Sequence, residues 1–159
     1  MVARTRHFAG QVQPQFARGE VEKVYLVRVN GHPATDEFTC DAPISADAGK
    51  LGSRTVDEKD GLPSRTEFRV RERNADGTAL LEARPLTGRT NQIRIHLAHL
   101  GLPVRGDPAY LNANALGETQ ILSVDAAPLC LHAWRISFRH PLHQQKVTFT
   151  AAPPRWAAM

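Results

Sequence analysis

The sequence predicts an α+β domain, a mixed but mainly antiparallel sheet with few helices. Three observations lead there. Residues 21–29 alternate, with Val21, Lys23, Tyr25, Val27 and Val29 on one face, which is the period-two pattern of a strand. Residues 65–73 and 78–85 are two further strand-like runs joined by Asn74-Ala75-Asp76-Gly77. The Asp-Gly pair supplies the positive-φ positions of a hairpin turn. A bounded helical run, residues 92–100, then stands between these strands and two C-terminal ones.

Taken in order, Phe8, Val12 and Phe16 fall at i, i+4 and i+8 and predict a helix over residues 5–18, against the local penalty of Pro14. Gly19 stops it. The strand at 21–29 ends at Asn30-Gly31-His32-Pro33, a cluster of turn formers. Residues 34–64 read as a loop with at most short strands and one apolar island at 42–44. Leu86-Thr87-Gly88-Arg89 breaks the second hairpin strand, and Thr90 or Asn91 is positioned to cap the helix. Ile93, Leu97 and Leu100 form its predicted core stripe, with Arg94 and Ala98 on the adjoining face. Gly101 and Pro103 end it. Gly106-Asp107-Pro108 reads as a turn, residues 112–126 as a polar loop, 129–138 as a strand and 146–150 as a final edge strand.

The 159 residues suffice for one core. A 42% hydrophobic and 23% charged composition is that of a soluble globular chain. The longest apolar stretches are too short to cross a bilayer, and the start does not resemble a signal peptide, so the expectation is a cytoplasmic protein without membrane contact. Cys40 and Cys130 are far apart and lack C-x-x-C spacing, as expected of reduced, buried thiols. The net charge is +4, and residues 65–105 hold eight arginines against four acids. The guanidinium fork suits phosphate and base edges, so this window fits a polyanionic partner; a solvated strand face is the alternative.

Nucleophile-elbow, phosphate-loop, dinucleotide and zinc-protease motifs are all absent from the sequence. His96 and His99 stand at i, i+3, but no acid or cysteine lies nearby to complete a metal set. No cofactor is expected. The informative run is residues 84–111, RPLTGRTNQIRIHLAHLGLPVRGDPAYL, where a glycine turn delivers Arg89, Gln92 and Arg94 to the start of a helix. Such donors suit an anionic ligand or a buried carboxylate, or form a capping network of purely structural value.

The run TGRTNQIRIHLAHLG followed by PVRGDPAY resembles the C-terminal signature of RluA-type RNA pseudouridine synthases. Glu22-Lys23-Val24-Tyr25 resembles that family's E-K-x-Y strand, Asp41-Ala42-Pro43-Ile44 its D-x-P-I turn, and Thr66-Glu67-Phe68 the start of another strand. Leu131-His132-Ala133 and Arg139-His140-Pro141 resemble its closing strands, and Thr150-Ala151-Ala152-Pro153 its final A-P. The landmarks occur in family order over residues 1–154, which the resemblance marks as a partial catalytic domain, with 155–159 as a C-terminal tail.

The resemblance implies isomerisation of uridine in ribosomal or transfer RNA without metal or cofactor. The target base is flipped out and attacked by an aspartate carboxylate. By motif position, Tyr25 is the tyrosine that packs on the uracil, and Arg94 the arginine that pairs with the nucleophilic aspartate. Arg65, Arg71, Arg73, Arg89, Asn91 and Gln92 are candidate contacts to structured RNA. Two departures stand out. Asn91 replaces the usual histidine, and the H-R-L-D motif that carries the nucleophile does not occur in the 159 residues. The resemblance places that aspartate upstream of Met1, with Met1–Thr5 matching the tail of the strand that follows it. Asp107 is the only acid inside a signature motif. The expectation is a chain inactive and poorly stable alone, a monomer unless a complementary N-terminal fragment joins it. A non-catalytic RNA-binding module is the alternative.

Overall fold

The structure, a computed structural model, describes residues 6–49, 52–113, 115–117, 119 and 125–158; the expected strand tail at residues 1–5 lies outside them. The centre is β1 (Glu22–Asn30), paired on one side with β4 (Thr78–Pro85) and on the other with β7 (Leu131–Arg139). Beyond β4 come β3 (Thr66–Arg73) and β2 (Glu37–Cys40), and beyond β7 comes β8 (Lys146–Thr150). All pairings in this six-stranded sheet are antiparallel.

The alternation of β1 sorts its side chains between two faces. Val27 and Val29 join Phe68, Leu81 and Ala83 beneath Ile93 and Leu97 of helix α2 (Gln92–His99). Leu26 and Leu80 face the other way, toward Trp134, Trp156 and Ala157. A strand covered on both faces needs a nearly continuous apolar run, which the sequence Val24-Tyr25-Leu26-Val27 supplies. Residues 155–157, set apart as tail by the sequence, form a 3-10 turn that covers this second face.

Helix α1 (Arg6–Ala17) buries Val12 against Val21 and Phe138, with Phe8 half-buried beside them. Phe16 departs from the predicted stripe and is 43% exposed. Gln15 is buried instead, and its amide exchanges two hydrogen bonds with the Arg139 backbone at 2.9 Å each. A polar residue can take an interior position when both ends of its amide are satisfied.

Helix α2 ends one residue earlier than predicted, and Leu100 is 40% exposed rather than part of the stripe. Gly101, at φ 74°, closes it: its N–H reaches Ala98 O at 3.1 Å and that of Leu102 reaches Leu97 O at 2.9 Å, the paired bonds of a Schellman motif. Ile95 and Ala98 pack on Ile44, Ala109 and Tyr110, giving α2 a second buried side. The Ile44 island is stitched to Val56 and Leu62 by isolated bridges. β5 (Tyr110–Asn112), which begins two residues before the predicted polar loop, pairs with β6 (Ala115–Leu116) inside it; residues 114, 118 and 120–124 lie outside the described residues. Cys40 and Cys130 are free and buried, as expected.

Candidate active site

The β1–β7 register shifts between Val24↔Arg135 and Tyr25↔Ala133, so Trp134 has no partner on β1. A bulge of this kind increases local twist and re-aims neighbouring side chains. Beside it Lys23 and Tyr25, two residues apart on one strand face, stand half-buried at the rim of α2. They line a cavity of about 350 Å³ together with Arg89, Asn91 and Arg94. No acid lines it. The same tyrosine and lysine border a second, apolar cavity of about 810 Å³ that includes Phe8, Trp134, Phe138 and Phe149. Burial pushes the Tyr25 phenol above its ordinary range, so it remains a protonated donor, and pushes the Lys23 ammonium down.

Arg94 is fixed from three directions. Its Nε donates to Asp107 Oδ2 and its Nη2 to Asp107 Oδ1, each at 2.7 Å, and its Nη1 donates to Asn91 Oδ1 at 3.0 Å. The guanidinium lies 4.8 Å from the centre of the Tyr110 ring, within cation–π range. The Arg94 and Asp107 side chains are 11% and 1% exposed. A guanidinium has five N–H donors; those not committed to Asp107 and Asn91 remain on the Nη atoms of a group that lines the cavity. Asp107 is fully engaged as well. Its Oδ1 also accepts from Ala109 N at 2.9 Å and Tyr110 N at 3.1 Å, a backbone-bonded carboxylate holding a turn. It is an anchor for Arg94 and is not placed to attack a substrate.

Asn91 was expected to cap α2 or contact RNA. It adopts the left-handed conformation, φ 56°, without a capping bond, a region asparagine tolerates. Its amide bridges Arg94 and the Tyr110 hydroxyl, the latter at 3.2 Å. Gln92, a predicted RNA contact, is 4% exposed, and its whole amide is used within the fold. Its Oε1 accepts from Thr87 Oγ1 at 2.8 Å and Arg89 N at 3.0 Å. Its Nε2 donates to Arg65 O at 3.0 Å and Thr66 Oγ1 at 2.9 Å. Gln92 thus ties the Thr87–Arg89 turn to β3.

The polar chain continues inward. His96 is fully buried, with Nε2 at 2.9 Å from Ala42 O and Nδ1 at 2.9 Å from Thr66 Oγ1. A carbonyl only accepts, so Nε2 carries the proton. Thr66, which already accepts from Gln92, donates to Nδ1. The histidine is neutral, and desolvation lowers its pKa. It is a core residue rather than a ligand; His99 is exposed, and no cluster of metal-ligating groups occurs among the described residues.

The remaining predicted RNA contacts do not gather here. Arg65 pairs with Asp41 at 3.1 Å and Arg73 with Asp36 at 2.7 Å. Arg71 pairs with Glu82 and lies over Trp134, on the face of the sheet away from α2. Arg89 alone of the candidate arginines outside Arg94 lines the cavity, its Nε and Nη2 donating to Pro63 O at 3.3 and 3.2 Å. Sequence reasoning missed Lys23, Asp107 and Tyr110 as parts of the site. The Gly106-Asp107-Pro108 turn and the aromatic after it were visible, but their approach to Arg94 depends on the chain folding back across α2.

Comparison with known proteins places this antiparallel sheet, with its half-buried tyrosine and clamped arginine on one cationic cavity, in a known family. Residues 1–99 match the family model of RNA pseudouridylate synthase. The dual-specificity RNA pseudouridine synthase RluA of Escherichia coli (strain K12) is 34% identical over 151 residues, covering 95% of this chain and 66% of that protein. Its Yersinia pestis counterpart is 32% identical over 143 residues, 90% of this chain and 68% of that protein. Human RNA pseudouridylate synthase domain containing 1 superposes with a TM-score of 0.73 at 26% identity, over 96% of this chain and 63% of that one. Human RNA pseudouridylate synthase domain containing 4, at 24% identity and a TM-score of 0.68, shares the fold. The chain belongs to the RluA-type RNA pseudouridine synthase family, and it spans about two thirds of the length of the relatives it matches.

Proposed function

We propose that the cavity between β1 and the start of α2 is the uridine site of an RNA pseudouridine synthase acting on ribosomal or transfer RNA. The observation that carries this reading is that Tyr25 and Arg94, matched to the family by motif alone, line one cavity although 69 positions separate them. A phenol kept protonated by burial offers a stacking ring and a proton donor. The uncommitted Nη donors of Arg94 suit a nucleophilic carboxylate, with Asp107 holding the fork in place. In the isomerisation such a carboxylate attacks the nucleotide, the glycosidic bond breaks, the uracil is re-joined through C5, and the C5 proton leaves.

The described residues lining the cavity include no acid, and Asp107 is consumed. We therefore assign the nucleophile to a segment carrying H-R-L-D that lies outside these 159 residues, joined to the chain or supplied as a separate fragment. The apolar cavity beside Tyr25 is the surface on which such a segment would pack. Tritium release from RNA labelled at uridine C5 tests this. The 159 residues alone should release none, and the chain extended by that segment should release tritium. Release by the 159 residues alone would contradict the assignment. An extended chain that binds RNA but stays inert would favour a non-catalytic RNA-binding module.

A further inference from the structure

The cavity carries more positive charge than the chemistry just described uses. Arg94 is neutralised by Asp107. Lys23 and Arg89 line the same cavity, and among the described residues neither has an acidic partner within salt-bridge distance. The Lys23 ammonium is half-buried, and its one hydrogen bond among the described residues is a long one, 3.4 Å to Thr87 O. An ammonium has three donors, and a partly desolvated cation left with donors unused costs free energy unless an anion completes it. Arg89 is pinned through Nε and Nη2 to Pro63 O, which leaves Nη1 unengaged. Between them the wall is Gly88, where a Cβ would sit 3.5 Å from Lys23 Nζ, so the approach to the ammonium is lined by backbone.

A uracil ring is neutral and does not call for two cations. The nucleotide that carries it has a phosphate, and a point charge on a flexible stem beside a guanidinium suits a phosphate oxygen. We propose that Lys23 and Arg89, across the Gly88 turn, form a phosphate subsite that holds the RNA backbone next to the nucleotide whose base rests on Tyr25. This rests on the RNA-modifying reading of the cavity and adds the group that fixes the nucleotide's backbone there.

The test uses the 159-residue chain and a synthetic RNA hairpin with one loop uridine, with binding followed by fluorescence anisotropy from low to moderate salt. Each phosphate contact contributes roughly 0.7–0.9 to the slope of log affinity against log salt. Lys23→Gln should reduce the slope by about that amount, Lys23→Arg should restore it, and thermal melts should show both variants folded. Replacing a phosphate flanking the uridine with a neutral methylphosphonate should weaken the wild type clearly more than Lys23→Gln, which keeps only Arg89 at the subsite. A wild-type slope in Lys23→Gln overturns the subsite while leaving the RNA reading intact. So does a variant whose loss is independent of every flanking methylphosphonate. A wild-type chain that binds no RNA overturns the RNA reading and the subsite with it.

Discussion

Arg94 and Asp107 are the residues on which the site turns, and their burial decides what substitution does. Removing one partner of a buried pair leaves a charge without compensation, at a cost of about 3–5 kcal/mol, whereas replacing both with apolar groups is often close to neutral. Asp107→Ala should therefore destabilise by about that much in chemical denaturation, and Arg94→Met with Asp107→Leu by far less than the sum of the single changes. In the catalytically complete protein, Arg94→Ala should lower turnover roughly ten- to a hundredfold, the range of a charge-assisted bond, with a smaller effect on RNA affinity. Two groups give pH signatures. His96 is held neutral, its folded pKa below the ordinary 6.5. Its contribution is therefore intact above about that pH and is lost as the pH falls through 6.5 toward the folded value, because the unfolded chain binds the proton first. The melting temperature should show this loss on acidification, and less of it in His96→Gln. Asp76, bonded to Thr78 and Arg105, should titrate at about 2 instead of 3.8 when followed by carboxylate NMR.

At the scale of elements, the turn that delivers Asp107 is as constrained as the residue itself. Gly106 has φ 78°, and a Cβ there would stand 2.3 Å from Pro128 O, a backbone atom with little room to retreat. Gly106→Ala should cost about 1–3 kcal/mol from conformation and crowding together, and should disturb Arg94 through the displaced carboxylate. Unchanged melting and unchanged RNA binding would argue against this coupling. The hairpin β3–β4, the helix α2 with its Gly101 end and the edge strand β8 were all legible in sequence, because alternation, an Asp-Gly turn and a helix-stopping glycine are local signals. The β5–β6 hairpin was not legible, since a two- or three-residue strand leaves no periodicity to detect. The capping expectation for Asn91 failed for a related reason: Tyr110, 19 positions away, and Arg94 claim its amide. The bulge opposite Tyr25 left no signal, because a strand's sequence does not state its partner's register.

Across the whole molecule, the arginine-rich window illustrates how far a count of charges reaches. Six of its eight arginines form ion pairs, four of them with Asp36, Glu37, Asp41 and Asp107, which lie outside residues 65–105. The exposed ones at Arg65, Arg69 and Arg73 contribute little stability, but they neutralise the β3 surface that the sequence offered as an RNA contact. The uncompensated cations that remain at the cavity are Lys23 and Arg89, so RNA should be steered to the Tyr25 side of the sheet. The central claim is that a uridine of bound RNA lies in this cavity. Photocrosslinking with RNA that carries 4-thiouridine at a single loop position, followed by peptide mapping, reads that placement directly and without need of turnover. The expected adducts fall on Tyr25 or on residues of the segment 85–94, and Tyr25→Ala should reduce their yield. Adducts confined to Arg65, Arg71 and Arg73, with none at the cavity, would contradict the account.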